Sequence, residues 1–432
     1  MKISKYTKLI QKNNNYFIYN SFSNFFAEID ENLFNLLNKK QKSDVNKKDI
    51  GSEKIWDHLC QKRVITKSDI DDYLEYKSII INQRRINNRL ILTIAPTLNC
   101  NFSCPYCFED KNETIMNDET IDNIINFVTQ QKNIEQVDIT WFGGEPLLAS
   151  DVIEKITKKI TDNNIPLVAR IITNGYYLNE NNLKLLERCN VRTIQLTIDG
   201  MQEEHNKKKF ACNDNDTFST IINNIDAFIK MNLNIRLTVR VNLNKGNMDS
   251  YPMVVDFFHK RYPNNTNIAI VPALIFENTK NNVRTPDMAD ADDRLEIFKK
   301  QAKKTNGHHY LYPVNSISEC AIRNKNSMVI DAQGYIYKCW EIIGNEKYKV
   351  GYIDKEGVKV TNMAMLNRYL YGEDPFENNK CKKCFFLPIC GGGCPHKRIE
   401  NTFEKQSFDY CTHFQNKLED YLFERYSFKA HK

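Results

Sequence analysis

The chain of 432 residues lacks several features that would place it in a specialised class. It has no run of about 18 apolar residues, so no segment is predicted to cross a membrane. The start, MKISKYTKLIQKNNN, lacks an apolar core, which argues against secretion. The net charge of +6 is mild and does not require a nucleic-acid partner. We therefore expect a cytoplasmic globular protein of two or three domains, with neither a membrane nor a nucleic acid as partner.

Cysteine is the residue type that needs an explanation. Three of the thirteen cysteines stand apart. Cys60 and Cys189 lie on apolar helical faces and are expected in the core, whereas Cys212 is expected as a surface thiol. The other ten form a triplet (Cys100, Cys104 and Cys107) and a C-terminal group of seven. Such clustering in a chain without an export signal indicates metal or iron–sulfur ligation, with zinc and disulfides as the alternatives.

Residues 1–85 are predicted to form a small α+β unit. Three aromatic-rich runs, YTKLIQ, NYFIYN and FFAEID, have strand character, and Asn13–Asn15 makes a turn between the first two. Asp30 is a candidate N-cap for a helix with an apolar side. Two further helical segments follow, IWDHLCQKRVI and a last one that ends near Arg85 and resembles a linker.

From Leu90 to about Phe276, six apolar β-branched runs alternate with helical stretches. This pattern predicts parallel βαβ units, and six of them favour a partial or complete barrel over an open sheet. In either arrangement the site belongs at the carboxyl ends of the strands. The unusual residues follow successive strands: the cysteine triplet, Gly143-Gly144-Glu145-Pro146, Thr173-Asn174-Gly175 and Asp199-Gly200.

The cysteine triplet is notable for having no fourth thiol nearby. Each iron of a cubane cluster needs one protein ligand, so four cysteines usually hold such a cluster. Three cysteines leave one iron open, and an open position on a metal is where a substrate or cosubstrate binds.

The spacing C-x₃-C-x₂-C, with Tyr106 before the last cysteine, resembles the signature of the radical S-adenosylmethionine (SAM) superfamily. The FGGEP run resembles the same family's Gly-Gly-Glu-Pro element. The resemblance implies that the methionine part of SAM chelates the open iron, and that reductive cleavage gives a 5′-deoxyadenosyl radical. That radical abstracts hydrogen from the substrate, while the protein supplies orientation.

The resemblance also implies the residues that bind SAM. Gly143, Gly144 and Glu145 flank the methionine amine, Thr173, Asn174, Thr197 and Asp199 lie near the ribose or carboxylate, and Tyr106 and Pro146 are further cofactor-binding residues. Arg240 is a candidate partner for the carboxylate, because a guanidinium suits a planar anion. His205 matches the family pattern, but Asn206 and Lys209 replace the expected acid and arginine.

The C-terminal cysteines resemble the SPASM extension of this family, which holds two auxiliary [4Fe–4S] clusters. The family's partition gives one cluster Cys381, Cys384, Cys390 and Cys411. The nearer cluster receives Cys320, Cys339 and Cys394. No cysteine lies just upstream of Cys320, so we expect an open iron there, available to a substrate thiolate, water, a carboxylate or His308 and His309. The chain is thus expected to bind three [4Fe–4S] clusters and SAM.

The whole chain is predicted to be α/β: a partial (β/α)₆ radical SAM barrel (86–310), a small winged-helix-like α+β domain (1–85) and a SPASM iron–sulfur domain (311–432). The first domain resembles the leader-recognition domain of peptide maturases. This favours a maturase that forms a thioether or C–C crosslink on a ribosomally made precursor peptide, with flavodoxin or ferredoxin as reductant.

Three alternatives remain open at this point. One is an anaerobic sulfatase-maturating enzyme, which forms formylglycine. Such enzymes generally lack the first domain and carry an aspartate after the cysteine that matches Cys339, where this chain has Trp340. The second is a non-catalytic iron–sulfur electron carrier, and the third is a zinc-bound scaffold.

Overall fold

The computed structural model describes seven stretches of the chain: 1–86, 88–211, 214–263, 265–275, 289–304, 311–316 and 319–430. Within them, no helix has both the length and the apolar character that a membrane span needs. The chain divides into two compact units. The first unit comprises 1–86, 311–320 and 371–431, and the second comprises 87–310 and 321–370.

The first unit begins with two small antiparallel sheets that contain five strands. The three longest of these confirm the three strands predicted from the sequence. The strands are β1 (Lys2–Ile3), β2 (Thr7–Lys12), β3 (Asn15–Asn20), β4 (Phe25–Ile29) and β5 (Ile65–Thr66). β2, β3 and β4 form a meander, and β1 pairs with β5. Asn13 and Asn14 connect β2 to β3 with φ of 50° and 61°, as a tight hairpin requires at both loop positions.

The helices of the N-terminal segment are α1 (Glu31–Lys39), α2 (Lys47–Ile50), α3 (Glu53–Gln61) and α4 (Asp72–Arg84). Asp30 caps α1 as predicted, because its carboxylate accepts a hydrogen bond of 2.8 Å from the Leu33 N–H. The predicted helix over IWDHLCQKRVI ends earlier than expected. Arg63 adopts a φ of 59° and the chain turns into β5, because the apolar residues that follow pack in the core beside Leu59.

The second unit is built on six parallel strands, which confirms the predicted alternation. They are β6 (Arg89–Ile94), β7 (Gln136–Trp141), β8 (Leu167–Thr173), β9 (Val191–Ile198), β10 (Arg236–Leu243) and β11 (Ile268–Leu274). The helices of this region are α5 (Asp118–Thr129), α6 (Ser150–Asp162), α7 (Glu180–Arg188), α8 (Gln202–Lys208), α9 (Thr217–Met231), α10 (Ser250–Arg261) and α11 (Ala291–Lys304), with a 3₁₀ helix at Pro146–Ala149. The strands lie in sequential order and the sheet does not close, so the barrel is partial.

Side chains alternate between the two faces of these strands. In β10, Leu237, Val239 and Val241 are buried, whereas Arg236 before them and Arg240 between Val239 and Val241 are exposed. The period of two places apolar residues on one face and leaves polar residues on the other. All six strands run in the same direction, so their carboxyl ends meet at one edge.

Four short strands extend the same sheet beyond β6, and the sequence did not predict them. They are β12 (Ser327–Ile330), parallel to β6, and the antiparallel β13 (Tyr335–Tyr337), β14 (Gly351–Asp354) and β15 (Gly357–Val360). Helix α12 (Met363–Tyr371) and 3₁₀ helices at Ala321–Arg323, Trp340–Ile342 and Glu346–Tyr348 complete this part. Strands of three or four residues carry too little periodicity to be recognised, and β12 forms because it pairs with the free edge of β6.

The C-terminal helices return to the first unit. They are α13 (Asn379–Lys383), α14 (Leu387–Cys390), α15 (Pro395–Phe403) and α16 (Leu418–Ala430). One core cluster joins both ends of the chain: Tyr6, Phe22, Tyr76, Ile80, Phe376 and Leu387. Phe423 of α16 packs edge-on against Phe17 and Phe26 of the meander, at 4.8 and 5.6 Å between ring centres. Residues 1–86 therefore share one core with 371–431. The three functional domains expected from the sequence (1–85, 86–310 and 311–432) stay predictions.

Candidate functional site

The cysteine triplet lies in the loop that follows β6, and short polar contacts shape the start of that loop. The hydroxyl of Thr97 accepts from the Asn99 N–H at 3.0 Å, and the Asn99 side chain accepts from the Cys100 N–H at 2.9 Å. Phe102 is buried and packs edge-on against Tyr176 at 5.7 Å. The aromatic anchor and the two turns fix the backbone that carries the thiols.

Burial raises the pKa of all three thiols of the triplet in the protein alone. Burial raises the pKa of Cys100 to about 12. Burial also raises the pKa of Cys104, and the nearby Lys209 ammonium opposes that rise. A cationic cluster binds thiolates and deprotonates such groups. The chemistry of the triplet thus suits a metal cluster better than free thiolates.

The glycine turn after β7 lies directly against this loop. A Cβ on Gly143 would stand 2.3 Å from the Thr97 carbonyl oxygen, and one on Gly144 would stand 2.2 Å from that of Asn99. Gly143 also has a φ of +107°, which L side chains rarely adopt. The Glu145 N–H donates to the Asn99 carbonyl at 2.8 Å. Only glycine permits this approach, which brings the backbone of the turn beside the triplet.

Glu145 is fully buried and joins the ends of β7 and β8. Its carboxylate accepts from the Thr173 hydroxyl at 2.8 Å, the Asn174 N–H at 2.7 Å and the Leu147 N–H at 3.0 Å. Burial raises the pKa of this carboxyl, and these donors stabilise its charged form. Pro146 then begins the 3₁₀ helix. Glu145 and Thr173, two predicted SAM contacts, thus also hold the ends of β7 and β8 together.

Asn174 connects the end of β8 to the triplet. Its side-chain amide donates to the Asn101 side-chain oxygen at 2.8 Å, and the Cys100 sulfur lies 3.9 Å from the same nitrogen. Three strand ends, those of β6, β7 and β8, therefore meet at the first cysteine, as the sequence predicted for the carboxyl edge of the sheet.

A second polar network lies at the ends of β9 and β10. The Tyr106 hydroxyl donates to the Asp199 carboxylate. The Asn242 amide lies 3.3 Å from both the Tyr106 hydroxyl and an Asp199 oxygen, and the Asn247 amide donates to the Asp199 carbonyl at 2.8 Å. Sequence reasoning missed Asn242 and Asn247, although a polar residue at the carboxyl end of β10 is a usable signal.

Lys209 joins this network from the end of α8. Its ammonium donates to the Thr197 hydroxyl and to the Thr197 carbonyl at 3.2 Å, and it lies 3.8 Å from the Asp199 carboxylate. The lysine is 3% exposed and the aspartate 0%. A cation therefore occupies the position where the family pattern has arginine.

The other two residues of that stretch have distinct roles. His205 is buried, and its Nδ1 accepts from the Asp199 N–H at 3.3 Å. Burial, assisted by Lys209, lowers the pKa of His205 to about 3, so the imidazole is neutral. Asn206 holds the start of α9, because its side-chain oxygen accepts from the Phe218 N–H at 3.0 Å.

Arg240 lies on β10 opposite Thr197 of β9. Its side chain is exposed, and its Nε donates to the Asn242 side-chain oxygen at 3.1 Å. The guanidinium is therefore held beside the Tyr106–Asp199 network with donors left for an anionic ligand.

Residues 94–258 match the model of the family described as the radical SAM superfamily. This segment contains the triplet, the glycine turn and both polar networks. Residues 94–258 therefore constitute a radical SAM domain.

One known protein and two solved structures are similar to this chain. It is 24% identical over 355 residues to a cysteine-type anaerobic sulfatase-maturating enzyme of Clostridium novyi strain NT, covering 72% of this chain and 89% of that protein. The structure of native anSMEcpe with bound AdoMet and Cp18Cys peptide is similar, with a TM-score of 0.58, 19% identity, and 80% and 100% of the two chains covered. Streptococcus suis SuiB bound to S-adenosylmethionine is also similar, with a TM-score of 0.53, 16% identity, and 95% and 100% covered. The two structural likenesses show the fold.

A half-exposed tryptophan lies close to the glycine turn of the radical SAM domain. Trp340 follows Cys339 directly and is 45% exposed. Its ring stacks on that of Phe142, with centres 5.6 Å apart and planes at 23°, and Phe142 immediately precedes Gly143. Gly344 lies two residues after the 3₁₀ helix Trp340–Ile342, and a Cβ there would stand 3.2 Å from the Leu98 side chain. The cysteine at 339 is thus attached to a turn that packs on the triplet loop.

The first unit of the enzyme contains a cavity lined by four predicted cluster ligands, which we call the four-cysteine cavity. Its thiols are those of Cys381, Cys384, Cys390 and Cys411, and Arg398 and Tyr410 also line it. Burial, with the neighbouring thiols adding to it, raises the pKa of Cys390 to about 11. The four thiols therefore lie near enough to influence one another, as ligands of a common cluster do.

The CGGGC run explains how the chain turns back into this cavity. Gly391, Gly392 and Gly393 have φ of 62°, 88° and 77°. A Cβ on Gly393 would stand 1.9 Å from the Tyr410 carbonyl oxygen. Other residue types would be strained and would collide, so the three glycines are needed to bring Cys390 and Cys411 to one cavity.

The remaining cysteines have positions in the structure, but their role as cluster ligands stays a prediction. Cys339 belongs to the second unit, and Cys320 and Cys394 belong to the first, so their common cluster stays a prediction. Cys189 is buried, as expected, and Cys60 is half-buried. His308, His309 and Cys212 lie outside the described residues.

Neither a disulfide nor a mononuclear metal site is found among the described residues. All twelve cysteines in the described ranges are free thiols, so none of them forms a disulfide there. No group of three or more His, Cys, Asp or Glu side chains in those ranges is arranged to hold a single metal ion.

Proposed function

We propose that this chain is a radical SAM peptide maturase that installs a thioether or C–C crosslink on a ribosomally made precursor peptide. SAM and a cluster at the triplet would supply the hydrogen-abstracting radical. The chain's own residues orient the cosubstrate: the Gly143 and Gly144 backbone lies beside the triplet, and Arg240 offers a guanidinium for a carboxylate. The network around Asp199 fixes the other side of the site.

The observation that carries this proposal is Trp340. Enzymes that mature sulfatases resemble this chain, but they use an aspartate after the matching cysteine as a base. Here an aromatic ring occupies that position, half exposed and stacked on Phe142. An exposed indole offers a flat apolar surface against which a peptide side chain packs. It has no group that accepts a proton from substrate.

The N-terminal segment supports peptide binding in the same way. A likeness to SuiB over 95% of the chain necessarily includes most of residues 1–86, which are about a fifth of the length. One face of the meander packs on α16 and the other packs on the helices, so its outer strands β2 and β4 remain for a partner. We propose that a leader peptide adds to such an edge as a further strand, since strand addition gives main-chain affinity with little sequence demand.

Crosslinking also requires an electron acceptor. Joining a carbon to a thiol or to another carbon removes two hydrogens, one as an atom and one as a proton plus an electron. Auxiliary clusters at the two predicted ligand sets, Cys381, Cys384, Cys390 and Cys411 in one and Cys320, Cys339 and Cys394 in the other, would be acceptors of the right chemical type. Flavodoxin or ferredoxin would supply the electron that cleaves SAM. Three [4Fe–4S] clusters are therefore part of this proposal.

The test begins with anaerobically reconstituted enzyme, SAM and dithionite. Candidate substrates are taken from any short open reading frame found next to the gene for this chain. We expect 5′-deoxyadenosine and a peptide that has lost two hydrogens, with the new bond located by tandem mass spectrometry. Formation of 5′-deoxyadenosine with an unchanged peptide mass would contradict the maturase proposal.

Formylglycine formation is the second candidate, and the identity with a sulfatase-maturating enzyme favours it. Its test uses a synthetic sulfatase peptide with a cysteine at the modified position. Conversion of that thiol to an aldehyde is detected with a hydrazide reagent, which does not react with a thioether or a C–C crosslink. A hydrazide-reactive product would replace the proposed function with this one.

A further inference from the structure

One arginine in the four-cysteine cavity has no assigned role. Arg398 is 1% exposed and lies on α15, four residues after Cys394. Its Nη1 lies 3.6 Å from the Cys381 sulfur, to which it donates, and donates to the Gly392 carbonyl at 3.2 Å. A buried guanidinium thus makes a direct contact with a predicted cluster ligand.

The remaining contacts of Arg398 hold the side chain in place. Its Nε donates to the Glu373 carbonyl at 2.9 Å, and its Nη2 lies 3.7 Å from the Glu373 carboxylate. The guanidinium carbon also lies 4.6 Å from the centre of the Tyr410 ring. These contacts fix the orientation of the planar fork, so the donor aimed at Cys381 is not free to turn away.

The charges around the cavity are uneven. Lys5 is a second cation close to Cys384, and its ammonium donates to the Lys382 carbonyl at 2.9 Å. Asp409 lies near Cys411 and Glu373 partly balances Arg398. Of these four charges, Arg398 is the most deeply buried and the one that contacts a ligand sulfur.

We propose that Arg398 raises the reduction potential of the auxiliary cluster bound by Cys381, Cys384, Cys390 and Cys411. A cluster with four thiolates is anionic, and one-electron reduction makes it more so. A buried cation stabilises the reduced form more than the oxidised form, because Coulomb interactions are strong where water is excluded. Hydrogen bonds to ligand sulfurs act in the same direction. Arg398 is a positioning residue, and this inference rests on the proposed cluster.

The experiment measures potential rather than activity. The protein is the full chain with Cys100, Cys104 and Cys107 changed to alanine, which removes the first cluster from the spectra. After anaerobic reconstitution, an electrochemical titration followed by electron paramagnetic resonance gives the midpoint potential of each auxiliary cluster. Cys384→Ala identifies the signal of the four-cysteine cavity, because that variant should lose it.

We expect Arg398→Gln to shift this potential to a more negative value and Arg398→Lys to shift it less, because lysine keeps the charge. The matched control is Lys383→Gln. It removes an equal charge between Cys381 and Cys384 in sequence, but from an exposed side chain that water and salt screen. We expect no shift from Lys383→Gln.

Three results would overturn the inference. One is an unchanged potential in a fully loaded Arg398→Gln protein. Another is an equal shift in Lys383→Gln. The third is loss of the cluster from both Arg398 variants while Lys383→Gln keeps it, which would make the arginine a structural residue. If Cys384→Ala instead loses no iron, the cluster assignment itself fails and not the role of Arg398.

Discussion

The Tyr106 hydroxyl donates a hydrogen bond to the Asp199 carboxylate, which connects the residue beside Cys107 to the end of β9. The two residues are 93 positions apart in the chain. The contact places an aromatic residue of the triplet loop in the network that also contains Asn242 and Lys209. The loop that carries the thiols is therefore fixed against the far side of the sheet.

Tyr106→Phe tests this connection. Removing the hydroxyl deprives a buried carboxylate of one donor, and a hydrogen bond to a charged group contributes about 1.5–3 kcal/mol. We expect kcat/KM for SAM cleavage to fall by about tenfold or more, measured as 5′-deoxyadenosine release. Tyr16→Phe is the control, because its hydroxyl makes an exposed bond to Glu31. An unchanged kcat/KM in Tyr106→Phe would show that the network does not support the site.

Cys104→Ala tests the triplet. Without this thiol the loop offers two ligands instead of three, so we expect no detectable SAM cleavage and the loss of one cluster's iron. Cys60→Ala is the matched control, since Cys60 is a half-buried thiol of the first unit. Full cleavage activity in Cys104→Ala, or equal iron loss in both variants, would refute the ligand assignment.

His205 gives the protein a predictable response to acid. Its pKa is lowered to about 3 by burial, so below pH 6.5 the unfolded chain takes up a proton that the folded chain does not. Stability from this residue is complete above pH 6.5 and is lost as the pH falls towards 3. At pH 5.5 its share of the loss is about 1.4 kcal/mol.

The comparison variant is His205→Asn, whose side-chain oxygen replaces Nδ1 as acceptor for the Asp199 N–H and does not titrate. Urea unfolding of both proteins at pH 7.5 and 5.5 gives the difference. We expect the parent to lose more stability than the variant, by about 1.4 kcal/mol. Equal losses would mean that His205 titrates normally in the folded chain.

Trp340→Ala tests the surface proposed for substrate. Removing the half-exposed indole takes away the aromatic platform on Phe142, so we expect less crosslinked peptide for each 5′-deoxyadenosine formed. Trp340→Phe keeps a ring and should stay close to the parent. Mass spectrometry of the peptide and chromatography of the nucleoside give this ratio. If the alanine variant keeps the parent's ratio, the indole does not contact the peptide.

Deleting residues 1–85 should do more than weaken leader binding. The Tyr76 hydroxyl donates to the Ser316 carbonyl at 2.7 Å, and the Ser21 hydroxyl donates to that of Phe385 at 2.7 Å. The Arg84 guanidinium pairs with Glu319 and Asp374, which are nearly buried. Without the N-terminal segment these groups and the core around Phe376 are exposed.

We therefore expect the truncated protein to lose iron from the four-cysteine cavity, measured by iron analysis. The point variant Arg84→Met removes one of these contacts with less disruption than the deletion. It leaves two carboxylates without their cation, at a cost of about 3–5 kcal/mol. Retention of all iron and of parental stability by both proteins would show that residues 1–85 fold independently.

Much of the barrel could be predicted, because its signals are local. The period of two along β6 to β11 reports burial of one face, and glycines such as Gly143 mark backbone that other residues cannot adopt. The cysteine spacing identified the triplet for the same reason, since ligands on one loop must be close in sequence. Asp30 was recognised as a cap because it directly precedes a segment with one apolar helical side.

The sequence by itself determined the six parallel strands, the cysteine loops and the resemblance to the radical SAM family. Only the tertiary structure decided that Lys209 replaces the expected arginine in contact with Asp199, that Arg398 lies against Cys381, and that β12 joins β6. It also decided that residues 1–86 share a core with 371–431. The physical reason is that these contacts join segments far apart in the chain. Pairing and burial between them depend on surfaces formed only after folding, which leave no periodic mark in either segment.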